Sequence, residues 1–238
     1  MVAGGAQGIG AAVGRQLSGR DYHVAILDKN DVTGELLRQE IVADGGGATF
    51  IACDLTDLAA VHAAAARIRV ETGEPSILVN CAGWTVSEPF DQQSAEVWRQ
   101  LIDVNFVSVL NTCSVFTPSF SGGCSIVNVS SDAARVGVAD QAVYAGTKAA
   151  VVGFSKSLAV ELAKRNVRVN VVSPGSTRTP MLEGMFTEEQ LAKRVRIIPL
   201  GRFGEPEDVA SVVTFLAVDA NHVTGQVISV NGGALRVG

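Results

Sequence analysis

Tyr144 and Lys148 stand four residues apart, a spacing that puts both on one face if the segment is helical. An ammonium beside a phenol favours phenolate. It would draw the tyrosine from its ordinary value of about 10 toward neutral, ready to exchange a proton with an alcohol or carbonyl oxygen. Alone, Y-x-x-x-K is a common helical pair with a mostly structural meaning. The apolar run 125–129 adds context, because it reads as a strand that delivers Ser130 and Ser131 to its carboxyl end. That is where α/β sheets bind ligands, and a hydroxyl there could polarise a substrate oxygen while Tyr144 handles its proton.

A second group of residues suits phosphate. Gly4, Gly8 and Gly10 fall where a first strand would turn into a helix beginning near Ile9. Glycines there permit positive φ and close backbone approach, and a helix N-terminus offers N–H donors and a favourable dipole. The spacing is G-x-x-x-G-x-G rather than G-x-G-x-x-G, and a glycine-rich turn also arises for steric reasons alone. Asp28 strengthens the pattern. It ends the second predicted strand, and its distance from Gly10 is close to the ~20 residues expected for the acid that binds a ribose 2′-hydroxyl. A carboxylate there accepts from NAD and repels the 2′-phosphate of NADP. Nothing basic offsets it in the glycine turn, where Gln7 stands, although Lys29 adjoins it.

These residues need a scaffold. Short β-branched runs at 23–28, 48–53, 77–80, 125–129, 167–172 and 226–230 alternate with helical patterns that include 57–71, 94–115, 143–165 and 206–218. Continuous apolar strands between helices imply an α/β fold with a parallel sheet covered on both faces. Asp57 reads as an N-cap, Pro206 as a first-turn residue, and Thr187 with Gln190 as a capping box. The first strand has only Met1 to Ala3 available, which is short for a central strand. No repeat or linker breaks the alternation, so 1–238 reads as one domain. Its irregular segment 176–204, rich in Pro and Gly, is the expected substrate lid.

The chain has 238 residues, 47% of them hydrophobic and 18% charged, with 24 acidic against 19 basic side chains and a net charge of -5. That composition supports a full core without staples and argues against disorder. The acidic excess argues against nucleic-acid or membrane binding. Apolar stretches broken by charged residues, Asn or Pro predict no membrane span, and the opening MVAGGAQGIG has no form of a secretory signal. Cys53, Cys81, Cys113 and Cys124 lack metal or disulfide spacing, and His23, His62 and His222 do not join them, so no metal site is expected and reduced thiols in the cytoplasm are.

The order and spacing of several motifs resemble the short-chain dehydrogenase/reductase family over nearly the whole chain. They are AGGAQGIG at 3–10, Asp54-Leu55, NCAG at 80–83, Asn105, Ser130-Ser131, YAGTK at 144–148 and SPGSTRTPM at 173–181. The resemblance implies a doubly wound, Rossmann-like, seven-stranded parallel sheet in three α/β/α layers, and an enzyme that interconverts a secondary alcohol and a ketone with NAD. It implies that Tyr144 is the acid/base, that Lys148 tunes it and binds the nicotinamide ribose, that Ser131 bonds the reacting oxygen, and that Asn105 supports a water in the proton relay. Cofactor contacts would come from Gly4, Gln7, Gly8, Ile9 and Gly10, with Asp28 on the ribose and Asp54 and Leu55 on the adenine. Asn80, Ala82 and Gly83 would face the adenosine side. Pro174, Gly175, Thr177 and Thr179 would lie toward the carboxamide or phosphates.

Two positions depart from the family pattern. Ala3 replaces a usual Thr, losing a hydrogen bond that ties the glycine turn to a neighbouring strand, and Cys81 replaces a frequent Asn. Substrate choice is expected from Trp84, Thr85, Asp132, Ala133, Arg135, Gln141 and the 181–199 part of the lid, with Arg135 a candidate partner for a carboxylate. SDAARVG resembles members acting on cyclic hydroxy-acids or their thioesters, and PGSTRTPM resembles dihydrodiol dehydrogenases. A homotetramer is the family expectation. Two other readings stay open, a 3-oxoacyl-carrier-protein reductase and a non-catalytic cofactor-binding or scaffold protein.

Overall fold

The computed structural model describes residues 1–184 and 187–236. Seven parallel strands lie in the order β3-β2-β1-β4-β5-β6-β7. They are β1 (Val2–Ala3), β2 (Val24–Asp28), β3 (Ala48–Ala52), β4 (Ile77–Asn80), β5 (Ser125–Val129), β6 (Arg168–Pro174) and β7 (Val227–Val230). The strand order reverses between β1 and β4, which opens a crevice at their carboxyl ends. The doubly wound parallel sheet expected from the motifs is therefore present.

Consecutive strand residues feed two different cores, because side chains alternate across a sheet. Ile26, Val79 and Val127 pack with α1 (Gly8–Ser18), α2 (Asp31–Ala43) and α10 (Pro206–Thr214). Their neighbours Leu27, Leu78 and Ile126 pack on the opposite face with α3 (Leu58–Thr72), α5 (Ser108–Phe116) and α7 (Ala142–Leu162). Both alternating sets are apolar, which is why these strands read as unbroken hydrophobic runs. The first strand is only two residues long, and it lies between β2 and β4, pairing Val2 with Ile26 on one side and with Val79 on the other.

Local signals set the helix ends. Asp57 caps α3 by accepting from the Ala59 N–H, and Pro206 occupies the first turn of α10 behind a Glu205–Asp208 capping box. Thr187 and Gln190 form the expected box at α9 (Glu188–Val195). The helix expected over 94–115 differs, because it is α4 (Ala95–Ile102) and α5 joined by a π-helical turn at Asp103–Val107. The run Ala95–Ser119 is long and apolar enough by length and mean hydropathy to cross a membrane, yet half of its most apolar window is buried inside the protein.

The lid region carries α8 (Pro180–Glu183) and α9. Its ends are pinned together, with the Arg178 N–H donating to Gly204 O and the Gly204 N–H to Ser176 O. Met185 and Phe186, within the expected lid, and Val237 and Gly238, at the end of the expected domain, lie outside the described residues.

Candidate active site

At the phosphate end, the turn after β1 is built for glycine. A Cβ on Gly4, whose φ is +74°, would stand 2.4 Å from the Ala82 nitrogen, and one on Gly10 would stand 2.1 Å from Gly4 O. Neither distance admits an atom, so the glycines close α1 down onto the turn and bring Ala82 against it. Gly8, at φ +52°, faces the Thr179 methyl at 3.4 Å from its would-be Cβ, which places the start of the lid over the turn. Gln7 is the exposed N-cap of α1 and makes no side-chain cap, leaving first-turn N–H groups of α1 without a side-chain partner. Ile9 packs partly into the core.

The absent Thr at Ala3 is made good by backbone, since Gly4 N and Gly5 N both donate to Leu27 O and Cys81 N donates to Ala3 O. Asp28 ends β2 with its carboxylate turned to this corner, where Oδ2 accepts from Ala6 N at 3.1 Å and Oδ1 from Asn30 N at 3.0 Å. Asp54 is exposed, held in a turn by two bonds from Thr56 that keep its carboxyl below the ordinary carboxylate range. It shares a cleft of about 400 Å³ with Lys29. Leu55, expected at the adenine, instead points into the core at 7% exposure. Only its backbone is near that turn, with Asn111 Nδ2 donating to its carbonyl.

Asn80 is also placed differently from the expectation. Its amide is buried, donating to Asn128 Oδ1 at 2.7 Å and accepting from Thr112 Oγ1 at 2.7 Å, and Asn128 donates on to Ser155 Oγ. The side chain therefore ties β4 to β5 and α5, and beside it only Ala82 and Gly83 open toward the crevice. Gly83 is the meeting point of the two ends. A Cβ there would stand 3.3 Å from both Asn105 Oδ1 and Lys148 Nζ.

At the chemical end, Ser131 and Tyr144 come together through their hydroxyls. Ser131 Oγ also accepts from Ala133 N at 3.2 Å. Lys148 follows Tyr144 by one turn of α7, 3% exposed, but its Nζ donates to Val129 O at 3.0 Å. That bond corrects the expectation for the pair. Burial raises the Tyr144 phenol above its ordinary value, opposed by the Ser131 hydrogen bond. Lys148 is itself pulled down to about 8 by burial, with the nearby Cys81 opposing the shift. Burial in turn pushes the Cys81 thiol up to about 12.

Asn105 sits fully buried in the π-helical turn. Its Oδ1 accepts from Trp84 N at 3.0 Å, and its Nδ2 donates to Trp84 O at 2.8 Å and Leu101 O at 2.9 Å. It clamps the loop after β4 against α4, using both amide N–H donors and one of the two acceptor positions of Oδ1.

The expected substrate wall divides. Trp84, Thr85 and Gln141 are partly buried around the crevice, and the loops bearing them are joined by Glu88 N donating to Asp140 O. Asp132 and Ala133 are buried, and Arg135 donates to Ser229 Oγ at 2.9 Å on β7. Arg135 is thus tied to β7 through one of its guanidinium nitrogens. On the lid side Thr177 is buried beside the Gly204 bridge, Gly175 N donates to Val230 O, and Pro174 O accepts from Asp132 N, so these three fix the lid's root. Ser130, not singled out as a site residue, donates to Lys148 O at 2.8 Å and anchors α7 to β5. Its adjacency to Ser131 was the available signal.

The groove fits a dinucleotide by two observations. The glycine turn would be filled by any Cβ, and a charged lysine reaches the same space from the other side at Gly83. Among the described residues no cluster of three His, Cys, Asp or Glu could hold a metal.

Known proteins resemble the chain over nearly its whole length. A family model described as enoyl-(acyl carrier protein) reductase matches residues 4–234. Carbonyl reductase family member 4 of Xenopus laevis is 38% identical over 234 residues, covering 98% of this chain and 95% of that protein. The 2,3-dihydro-2,3-dihydroxybenzoate dehydrogenase of Bacillus subtilis is 38% identical over 247 residues, covering 98% and 94%. Among solved structures, a 3-oxoacyl-[acyl-carrier protein] reductase from Brucella melitensis superposes with a TM-score of 0.89 at 34% identity, covering 97% and 88%. A variant actinorhodin polyketide ketoreductase with NADPH gives 0.92 at 28%, covering 98% and 95%.

Proposed function

We propose, from the premise that this chain belongs to the short-chain dehydrogenase/reductase family of oxidoreductases, that it interconverts a secondary alcohol and a ketone with NAD, Tyr144 being the acid/base. The observation that carries this reading is the Ser131–Tyr144 hydroxyl contact at the carboxyl end of β5, facing the groove that Gly4, Ala82 and Gly83 line. NAD, when bound, supplies the hydride chemistry. The pyrophosphate is assigned to the α1 N-terminus and glycine turn, the ribose hydroxyls to Asp28 and Lys148, and Thr179 to the lid side of the cofactor.

Tyr144 gives its proton from Oη to the carbonyl oxygen in reduction and takes it back in oxidation. Ser131 Oγ donates to the same oxygen and fixes which face of the carbonyl meets the hydride. With its value raised by burial, Tyr144 holds its proton at neutral pH and has one to give in the reducing direction. Asn105 holds the Trp84 backbone that forms the floor of the crevice. The substrate is a small molecule, with Trp84, Thr85, Gln141 and the lid as its surroundings.

The preference for NAD rests on Asp28, a carboxylate already oriented toward the turn. A second reading, an acyl-thioester ketoreductase using NADPH, is favoured by Lys29 beside the Asp54 cleft and by the names of the relatives. A cofactor-coupled absorbance screen over cyclic and acyclic ketones, alcohols and a 3-oxoacyl thioester, run with both dinucleotides, separates the two. A clear NADP preference overturns the NAD assignment, and no turnover of any pair overturns the activity. The reading extends to a homotetramer in the cytoplasm. Ile102 on α4 and Val160 on α7 are apolar and exposed, Val160 at 78%, as a subunit contact would require. A monomer by light scattering would overturn that part.

A further inference from the structure

Asp132 directly follows Ser131, and its side chain is turned away from solvent at 5% exposure. Three donors converge on its carboxylate. Oδ1 accepts from Ser173 Oγ of β6 at 3.1 Å and from Ser229 Oγ of β7 at 3.0 Å, while Oδ2 accepts from Asn231 Nδ2 just beyond β7. The backbone is fixed as well. Ser130 N donates to Val172 O at 2.8 Å and Asp132 N to Pro174 O at 3.0 Å, so Ser131 is bracketed by two bonds to β6.

The connections continue past the carboxylate. Asn231 Oδ1 accepts from Gly233 N at 2.9 Å, and Gly232 O accepts from Leu200 N, at the far end of the lid region. A Cβ on Gly232 would stand 2.7 Å from the Ile198 side chain, so this turn and the returning end of the lid are in close contact. A buried carboxylate is costly unless its lone pairs are filled, and a filled one permits a single placement of its residue. An apolar side chain could fill the same space without fixing its neighbour.

We infer that Asp132 is a positioning residue for Ser131, holding the turn that carries the catalytic hydroxyl to the end of β7 on which the lid is seated. The inference rests on the catalytic reading of Ser131 given above. The three donors come from positions 41, 97 and 99 residues away, so the turn is set by the assembled sheet and not by its own sequence.

The test is a double-mutant cycle on the full chain. Asp132→Asn sets an amide N–H against the Asn231 donor, and kcat for carbonyl reduction should fall roughly 10- to 100-fold, the scale of a small misplacement of a reacting group. Dinucleotide affinity by fluorescence titration should stay within about twofold, because its groove is elsewhere. The primary isotope effect from a deuterated reduced cofactor should rise as hydride transfer becomes slower. In a Ser131→Ala background the same change should cost no more than about twofold, since its route is already gone. Adding Asn231→Asp to Asp132→Asn restores donor to acceptor and should recover most of the rate.

Equal losses with and without Ser131 would overturn the inference. So would an unchanged isotope effect accompanied by a lower Tm and a smaller active fraction, the mark of a purely structural role. Should Asp132→Asn not fold, Ser229→Ala removes one of the three donors and carries the same comparisons. A wild-type chain that turns over no carbonyl or alcohol overturns the reading of the site, and the inference with it. An active wild type with additive costs overturns the inference alone.

Discussion

The glycine turn between β1 and α1 and the hydroxyl turn after β5 hold their parts by opposite means. At the first, the missing atoms matter. Gly4 and Gly10 are sites where a Cβ would lie 2.4 and 2.1 Å from backbone, and the contacts that close the corner are N–H groups donating to Leu27 O and Asp28. At the second, the atoms present matter. Ser131, Tyr144, Lys148 and Asp132 are held by side-chain hydrogen bonds and burial, and the partners of Asp132 lie on strands far along the chain. The glycine turn should therefore fail when atoms are added, and the hydroxyl turn when they are removed or exchanged.

The largest expected effect lies at the hydroxyl turn. Tyr144→Phe deletes one oxygen, and kcat should fall by about 10²- to 10⁴-fold, while dinucleotide titration shows little change. Wild-type turnover in this variant would remove the proton chemistry from that turn and collapse the contrast. Next is Gly10→Ala, which adds a single carbon against Gly4 O. Overpacking of this kind costs about 1–3 kcal/mol, read in thermal melts as a drop of roughly 2–10 °C, and dinucleotide binding should weaken with it. A Gly10→Ala chain with unaltered Tm and affinity would mean that the turn has room the geometry denies.

The same contrast explains what could be read from the residues alone. Gly4, Gly8, Gly10 and Asp28 act within a local stretch, so type and spacing were sufficient to find them. Ser131, Tyr144 and Lys148 were found because a strand end and one helical turn fix their meeting. Asp132 and Asn80 looked equally functional in sequence, yet Ser173, Ser229, Asn231, Thr112 and Asn128 take up their polar atoms. Those partners come from strands brought alongside only by the parallel crossovers, and no periodicity announces them. The π-helical turn at Asp103–Val107 escaped for a related reason, since it follows from Asn105 bonding across to Trp84. The pull of Lys148 on Tyr144 was expected from their spacing alone, and Val129 O, which takes the ammonium, belongs to a different element.

A smaller effect tests the one side chain at the glycine end that acts by charge. Asp28→Asn keeps the shape and one acceptor for the Ala6 or Asn30 N–H but removes the repulsion of a 2′-phosphate. The kcat/KM preference for NAD over NADP should shrink by roughly 10- to 100-fold, in keeping with about 1.5–3 kcal/mol for a hydrogen bond to a charged group. An unchanged preference would assign cofactor choice to another residue, Lys29 first.

The smallest effect separates the two ends by pH. Burial brings Lys148 to about 8, so its ammonium is present below that value and is lost above it. The backbone N–H groups of the glycine turn do not titrate in this range, so any loss of dinucleotide affinity between pH 7 and 9 should come from the lysine end alone. A decline of a few-fold is expected across about pH 8 in fluorescence titrations, and Lys148→Met should be weaker throughout and flat. Folding stability should move the other way. The folded value lies below the ordinary lysine value of 10.5, so between about 8 and 10.5 the unfolded chain holds a proton that the folded chain has released. Linkage then makes stability rise with pH across that window, and the burial cost is present in full below it. Urea melts of wild type and Lys148→Met should converge as pH rises from 7 to 10. Parallel curves would mean that the Val129 carbonyl keeps the ammonium charged in spite of its burial, and the pH dependence of binding should then vanish with them.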